Sequence, residues 1–265
     1  MTGGNRRKWK DSHLPGGRWL SPVLILLLWE AGSRGGLIPP RILAAPSDVF
    51  ETMVGMIVSG ELPANLAVSL QRMGLGLVIG TAIGLATGLT AGLSRVGEQL
   101  IDPLMQIKRT IPSLALTPLL ILWLGIGEAA KIALIAFATM FPVYLNLYGG
   151  IRNIDVRLID AARSFGLSRI EIIANVILPG AMSSLLIGLR YALSISILVL
   201  VVAEQVNASE GLGYLVNNAR DFMRTDIIVV CILVYALLGL ASDWIVRRIE
   251  VRALQWRPDM VGAVA

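Results

Sequence analysis

Long apolar stretches separated by short polar segments dominate the pattern along this chain. A membrane-crossing helix needs about 20 mostly apolar residues. The pattern therefore predicts about six spans, near residues 19–32, 67–93, 112–127, 132–150, 180–206 and 227–246, with a helical lead-in to the third at 97–109. No polar stretch between them is long enough for a soluble domain. We predict an all-α polytopic membrane protein with one transmembrane domain over 19–250, an N-terminal segment (1–18) and a C-terminal tail (251–265).

The first span is the shortest of the set. Its apolar run covers about 11 residues before Glu30, and three basic residues precede it, Arg6, Arg7 and Lys8. A cleaved signal peptide has the same order of a basic segment and a short apolar run. No small-x-small cleavage site closes the run, so we favour a retained helix and keep the signal peptide as the alternative.

Composition narrows the class of protein further. Hydrophobic residues make up 55% of the 265 residues and charged residues 15%, against roughly 25% charged in soluble proteins. The mean hydropathy is +0.72. These values argue against a soluble enzyme, a disordered tail and a nucleic-acid-binding module. A single cysteine, Cys231, excludes an intrachain disulfide and a cysteine-cluster metal site. The single histidine, His13, lies in the polar N-terminal segment, which argues against a histidine-based catalytic triad and a histidine-rich metal site.

The distribution of basic residues predicts the orientation in the membrane. Six spans place both termini on one side, together with the segments 94–111 and 151–179, and that side carries sixteen of the 23 Lys and Arg residues, against five on the other. Lys108 and Arg109 are counted there as loop residues. Because basic residues collect on the cytoplasmic side, both termini and the 151–179 segment are predicted to be cytoplasmic. The same bias accounts for the net charge of +5 without a nucleic-acid partner.

The second predicted span contains a regular series of glycines. Five of them recur every four residues, at Gly76, Gly80, Gly84, Gly88 and Gly92. On a helix this spacing forms a ridge without side chains, which allows another helix to approach closely. The partner helix is either one in the same subunit, which we favour, or one across a dimer or gating contact.

The 151–179 segment is amphipathic and follows a predicted span. Its apolar positions have helical spacing: Ile154, Leu158, Ala161, Ala162 and Phe165. Gly166 is expected to break this helix, with a positive φ. Ser168 and Glu171 then have the spacing of a capping box at the start of a second short helix over 168–176. We expect Leu178-Pro179 to end that helix and to begin the fifth span, which makes the segment a cytoplasmic docking surface.

This segment also carries a specific resemblance. Asp160-Ala161-Ala162, Gly166, Val176 and Leu178-Pro179 have the spacing of the Glu-Ala-Ala loop of ABC importer permeases, with Asp160 in place of Glu and Val176 in place of Ile. Over about residues 40–250 the chain resembles the aliphatic-sulfonate, nitrate and taurine branch of that family. The matching strings are Ala45–Val49, Leu66–Arg72, Pro118–Glu128, Phe141–Asn146, Val202–Gln205 and Gly211–Leu215.

The resemblance implies a type I ABC importer permease fold and a division of labour. Such permeases work as pairs in the bacterial inner membrane, with two ATPase subunits below and a periplasmic or lipid-anchored binding protein above. This chain has no Gly-x-x-x-x-Gly-Lys-Ser/Thr sequence, so ATP and Mg²⁺ are expected on the partner ATPase and no cofactor on this chain. The resemblance assigns the residues from Asp160 to Leu178 to docking in a groove of the ATPase, with Ala161 and Ala162 allowing close approach.

The substrate is left open between several classes. The branch implies a small anion, namely a sulfonate, taurine or nitrate, but permeases for bicarbonate or a thiamine-precursor pyrimidine are similar. A secondary transporter driven by ion gradients is less favoured, because the chain has no clear internal repeat and few acidic residues within the spans. A membrane-embedded enzyme lacks a convincing catalytic set.

Three of the charged residues within the predicted spans are candidates for a role in the membrane. Arg190 lies about 16 Å along the fifth span from Pro179, close to mid-membrane, with Ser194 one turn further. Arginine at this depth either lines the substrate path or makes a structural contact with carbonyls or an acidic partner. Arg72 and Glu204 lie nearer the outer ends of their spans, where they pair with each other, contact the binding protein or act as interfacial anchors.

Overall fold

A computed structural model describes residues 17–206 and 208–254, so residues 1–16 and 255–265 of the predicted terminal segments lie outside it. Regular structure in the described residues is helical throughout. The helices are α1 (Gly17–Arg34), α2 (Pro46–Val58), α3 (Glu61–Leu93), α4 (Arg95–Thr110), α5 (Thr117–Leu124), α6 (Glu128–Arg152), α7 (Val156–Ser164), α8 (Arg169–Ile172), α9 (Leu178–Gln205), α10 (Leu212–Asp221) and α11 (Thr225–Ala253), with a 3₁₀ turn at Ser113–Leu116 and a π turn at Ile173–Ile177.

The all-α polytopic fold class is confirmed. Within the described residues, four helices are long and apolar enough to cross a membrane: α3, α6, the continuous helix Arg169–Gln205 and α11. A fifth crossing is available if the bent pair of α4 and the 113–124 segment forms one span. α1 is not among them, since its 18 residues include the three charged residues Arg18, Glu30 and Arg34. The first of the predicted six spans therefore stays a prediction.

The third predicted span has a different form from the straight helix expected over 112–127. α4 ends at Thr110, and the chain turns by 91° before the helical segment Ser113–Leu124. Pro112 explains the break, because a proline pushes the residue before it out of the α region and removes a backbone donor. Ile111 is accordingly extended, at φ −85° and ψ 117°. Lys108 and Arg109, taken from the sequence as loop residues, lie in the last turn of α4.

α6 is the central helix of the bundle and packs against both α3 and α9. Towards its first half, Leu134, Ile135 and Ala138 join a buried cluster with residues of α9. Towards its end, Leu147 and Ile151 pack with Ala181. Half of the membrane-crossing stretch of α6 is buried within the chain, against 22% for α11. α11 therefore leaves most of its surface to lipid or to another chain.

The glycine ridge of α3 lies directly against α6. A Cβ atom added to Gly76 would come within 2.6 Å of Ile135 Cβ, one on Gly84 within 2.5 Å of the Met140 carbonyl oxygen, and one on Gly92 within 2.7 Å of Ile151 Cδ1. Real Cβ atoms do not tolerate such approaches, so the absence of side chains is what allows the two helices to pack here. Gly80 and Gly88 continue the same contact. The ridge thus serves packing within one subunit, which is the first of the two alternatives.

Candidate functional site

The 151–179 segment, which we call the coupling segment, is a pair of short helices joined by a tight turn. Asp155 caps α7 by accepting a hydrogen bond from Arg157 N at 2.9 Å. Gly166 forms the turn at φ +80°, as expected, because residues with a side chain rarely adopt this backbone conformation. The predicted capping box is confirmed: Ser168 Oγ accepts from Glu171 N at 3.4 Å, and Glu171 Oε2 accepts from Ser168 N at 2.7 Å.

Large apolar side chains on the coupling segment point away from the rest of the chain. Val156, Leu158, Phe165 and Ile170 are exposed by 64%, 58%, 85% and 79%, and we call these four residues the coupling face. A cavity of about 850 Å³ separates the segment from the ends of α3 and α6. Exposed apolar surface of this kind is typical of a site that another protein covers.

The motif residues of this segment have distinct environments. Asp160 and Ala161 are exposed, and Asp160 accepts a hydrogen bond from Arg163 at 3.1 Å. Ala162 is only 8% exposed, so its small size serves packing within this chain as well as any close approach of a partner. Val176 is partly buried and Leu178 is 36% exposed, at the junction with α9.

The expected helix break at Leu178-Pro179 is wrong. The helix that starts at Arg169 continues without interruption to Gln205. A π turn at Ile173–Ile177 precedes Pro179, which lies in the first turn of α9. A wider turn at this point accommodates a residue that lacks a backbone N–H, so proline does not end the helix here. The coupling segment is therefore continuous with a membrane-crossing helix, and a force on α8 acts directly along α9.

Arg190 makes structural contacts with α11. Its Nη2 donates to Glu250 Oε2 at 2.7 Å, and its Nε lies 3.5 Å from Asp243 Oδ1. Both acidic residues are in the C-terminal half of α11, so the arginine is less central in the bundle than counting from Pro179 suggests. Ser194 Oγ donates to the Arg190 carbonyl at 3.1 Å, within the same helix. Of the two alternatives for Arg190, the geometry supports the acidic partner.

An ion cluster of Arg72, Glu128, Lys131 and Glu204 lies at the opposite end of α6 from the coupling segment. Three of its members are buried, and the Glu128 side chain is 55% exposed. Arg72 Nη1 donates to Glu204 Oε1 at 2.8 Å and Nη2 donates to Glu128 Oε1 at 2.7 Å. Arg72 is 3% exposed and Glu204 is fully buried. Arg72 and Glu204 therefore pair with each other, which was one of the three alternatives predicted from the sequence. The cluster joins α3, α6 and α9.

The same cluster anchors the backbone that leads into α10. Arg72 Nη1 also donates to the Glu210 carbonyl at 2.6 Å, and Gly213 N donates to Glu204 Oε2 at 2.9 Å. Gly211 has φ +113°, and a Cβ there would come within 2.5 Å of Glu204 Oε1. Glycine is thus required at this point both for the backbone conformation and for the close approach of the charged groups.

The chain matches a family model described as binding-protein-dependent transport system inner membrane component over residues 77–255. It is 49% identical over 240 residues to the putative aliphatic sulfonates transport permease protein SsuC of Escherichia coli (strain K12), covering 91% of each chain. It is also 33% identical to the taurine transport system permease protein TauC of the same strain, covering 90% of this chain and 88% of TauC. The chain belongs to this permease family.

Solved structures agree with the fold of this permease. A chain of an amino acid ABC transporter crystallised with histidines aligns with TM-score 0.62 and 18% identity, covering 76% of this permease and 98% of that chain. A chain of the inward-facing MetNI methionine ABC transporter aligns with TM-score 0.53 and 21% identity, covering 75% and 98%. At these identities the likeness concerns the fold alone. The permease is thus a transport subunit of an ABC-type system, which as a family works with an ATPase and a substrate-binding protein.

Two groups of functional interest in the permease were not apparent from sequence. Glu128 and Lys131 complete the ion cluster, although they lie 56 and 59 positions from Arg72 in the chain. The side of α4 that packs against the bundle was also missed. Glu98 and Asp102 on that side face α6, whereas Leu100 and Leu104 on the other side are exposed. A four-residue spacing of the acidic positions was the available signal. Within the described residues, no group of acidic, cysteine and histidine side chains is suited to a metal ion.

Proposed function

We propose that this permease forms the translocation path of an ATP-driven importer for small sulfonate anions, of which aliphatic sulfonates and taurine are the leading substrates. The observation that carries the proposal is the rigid coupling segment with its uncovered apolar face, in a chain 49% identical to a permease named for aliphatic sulfonates. The TauC match adds support for the sulfonate group as the shared chemistry.

Coupling to ATP follows from the coupling segment. In this proposal two ATPase subunits, which hold ATP and Mg²⁺, each receive the coupling face of one permease subunit, with Asp160, Ala161 and Gly166 at the contact. Phe165 inserts into a groove of the ATPase, and closure of the ATPase pair pushes on α8. Because α8 continues through the π turn into α9, the push reaches the membrane helix without a flexible joint.

We further propose that two copies of this chain pair in the bacterial inner membrane, with both termini and the coupling segment in the cytoplasm. α1 supports pairing, because Ile25, Leu27 and Leu28 on it are more than half exposed in a single chain. The orientation rests on the basic residues: without Lys108 and Arg109, which lie in the last turn of α4, fourteen remain on the predicted cytoplasmic side against five on the other. The binding protein then docks at the opposite surface, near α2 and α10.

The test is uptake by the complete complex in proteoliposomes. The permease, its ATPase and its binding protein are reconstituted, and the uptake of labelled ethanesulfonate, taurine, nitrate and bicarbonate is measured with and without ATP. The proposal expects sulfonate uptake that requires both ATP and the binding protein. Uptake of nitrate or bicarbonate alone would contradict the substrate, and sulfonate uptake without ATP would contradict the importer class.

A further inference from the structure

Lys108 lies on the side of α4 that faces α6, and the contacts along this interface fix its level. Tyr148 donates to Glu98 at 2.5 Å and Tyr144 donates to Asp102 at 2.8 Å. The Lys108 ammonium follows in the same direction, 4.8 Å from the centre of the Phe137 ring and 5.3 Å from that of Phe141. α4 therefore runs antiparallel to α6 along this contact.

The register places the ammonium close to mid-membrane. Phe141 is separated from Glu128, the first residue of α6, by about 20 Å, and from Arg152, the last residue, by about 17 Å at 1.5 Å per residue. Phe137 is one turn nearer the start. Lys108 is thus level with the middle of a helix that crosses the membrane, in contrast to the cytoplasmic position expected from sequence.

Lys108 differs from three other basic residues of the long helices in having no acidic partner. Arg72 and Lys131 contact Glu128, and Arg190 contacts Glu250. Among the residues that the structure describes, no carboxylate lies within 4.0 Å of Lys108, whose recorded contacts are the two phenylalanine rings. Ring faces attract a cation and stabilise it without occupying its hydrogen-bond donors. An ionisable side chain at such depth generally faces protein or a water-filled path and marks a substrate or ion route.

A break in the helix lies next to Lys108. α4 ends two residues later, at Thr110, and the backbone is extended at Ile111 before the 91° turn. Non-helical backbone at membrane depth is tolerated where it is buried in protein or lines a water-filled cavity. Transporters use interrupted helices of this kind to form the binding site near mid-membrane. The negative end of the α4 dipole stabilises the ammonium in the absence of substrate.

We propose that Lys108 is the residue that binds the sulfonate group of the substrate as it crosses the membrane, with Phe137 and Phe141 holding the ammonium towards the path. This inference rests on the proposed function. The ammonium offers three N–H donors to the oxygen acceptors of a sulfonate, and the flexible lysine side chain can follow an anion over a short distance. Arg190, whose guanidinium is already paired, is not needed for this role.

The test compares three variants in the reconstituted complex. Lys108→Met removes the charge at similar length, Lys108→Arg retains it, and Arg109→Gln removes the adjacent, exposed charge from the same helix turn as a control. The measurements are copurification with the ATPase, ATP hydrolysis stimulated by loaded binding protein, and the initial rate of ethanesulfonate uptake. For Lys108→Met we expect normal assembly, stimulated hydrolysis within about twofold, and uptake per ATP reduced about tenfold or more. Lys108→Arg and Arg109→Gln are expected to stay within about threefold of the parent.

The remaining outcomes contradict either the inference or the proposed function on which it rests. Parental uptake by Lys108→Met would show that the anion does not need this charge, while leaving the proposed function intact. A failure of Lys108→Met to assemble, or an equal loss in Arg109→Gln, would show a structural or general charge effect and would also overturn it. If the parent complex takes up no sulfonate, the proposed function itself fails, and the inference fails with it.

Discussion

The ion cluster and the coupling segment, which lie at opposite ends of α6, differ in how far the rest of this chain covers their side chains. At the Glu128 end, Arg72 and Glu204 are 3% and 0% exposed, and their polar atoms are bonded to one another and to the backbone that leads into α10. Beyond the Arg152 end, Phe165 and Ile170 leave 85% and 79% of their surface uncovered. The Arg72–Glu204 pair is closed by the chain itself, whereas the coupling segment is held in shape by caps and turns but has a surface left for a partner. This contrast predicts where substitutions affect the permease alone and where they affect only the complex.

The largest effect on the stability of the permease is expected from Arg72→Leu. The substitution leaves the Glu204 carboxylate buried without its cation, and breaking a buried ion pair from one side costs about 3–5 kcal/mol. The thermal unfolding temperature of the purified permease in detergent reports the loss. Arg220→Leu is the control, because its pair with Asp221 is exposed at 67% on both sides and surface pairs contribute about 0–1 kcal/mol. Equal melting temperatures for the two variants would refute a closed, energetically important cluster.

A matched pair of glycine substitutions sharpens the comparison. Gly211 and Gly166 both have positive φ, at +113° and +80°. A Cβ on Gly211 would meet Glu204 and Arg72 within 2.6 Å, whereas one on Gly166 has nothing within 4 Å. We expect Gly211→Ala to destabilise the permease by about 3 kcal/mol through overpacking and strain, and Gly166→Ala by about 1 kcal/mol through backbone strain alone. Thermal unfolding of both variants checks this order. A reversed order would contradict the contrast between a closed ion pair and an open coupling segment.

Local features of the site were predictable, because a few neighbouring residues determine them. The capping box at Ser168 and Glu171 and the turn at Gly166 depend on spacings of three residues or on one glycine. The four-residue repeat of the glycines in α3 likewise indicated a close helix contact, although it did not identify α6 as the partner. The all-α membrane fold followed from the apolar stretches in the same way.

Features that depend on distant parts of the chain were not predictable. Glu128 contacts Arg72 only because α3 and α6 lie side by side, and no local sequence pattern predicts that packing. Pro179 was expected to end a helix, but the π turn before it keeps the helix continuous. Lys108 was counted with the cytoplasmic side because it lies between the second and third predicted spans. The hydrogen bonds of Tyr148 and Tyr144 to Glu98 and Asp102 instead place this side of α4 against α6.

The smallest effect on the isolated permease, and the most direct test of the account, comes from Phe165→Asp. The central claim is that the exposed apolar coupling face docks the ATPase, and Phe222→Asp is a matched control, since Phe222 is 73% exposed and follows α10, away from the coupling segment. Copurification of the ATPase with each permease variant is the measurement. The account predicts unchanged thermal unfolding for both variants, ATPase association about tenfold or more weaker for Phe165→Asp, and normal association for Phe222→Asp. Full ATPase association with Phe165→Asp, or an equal loss with Phe222→Asp, would contradict it.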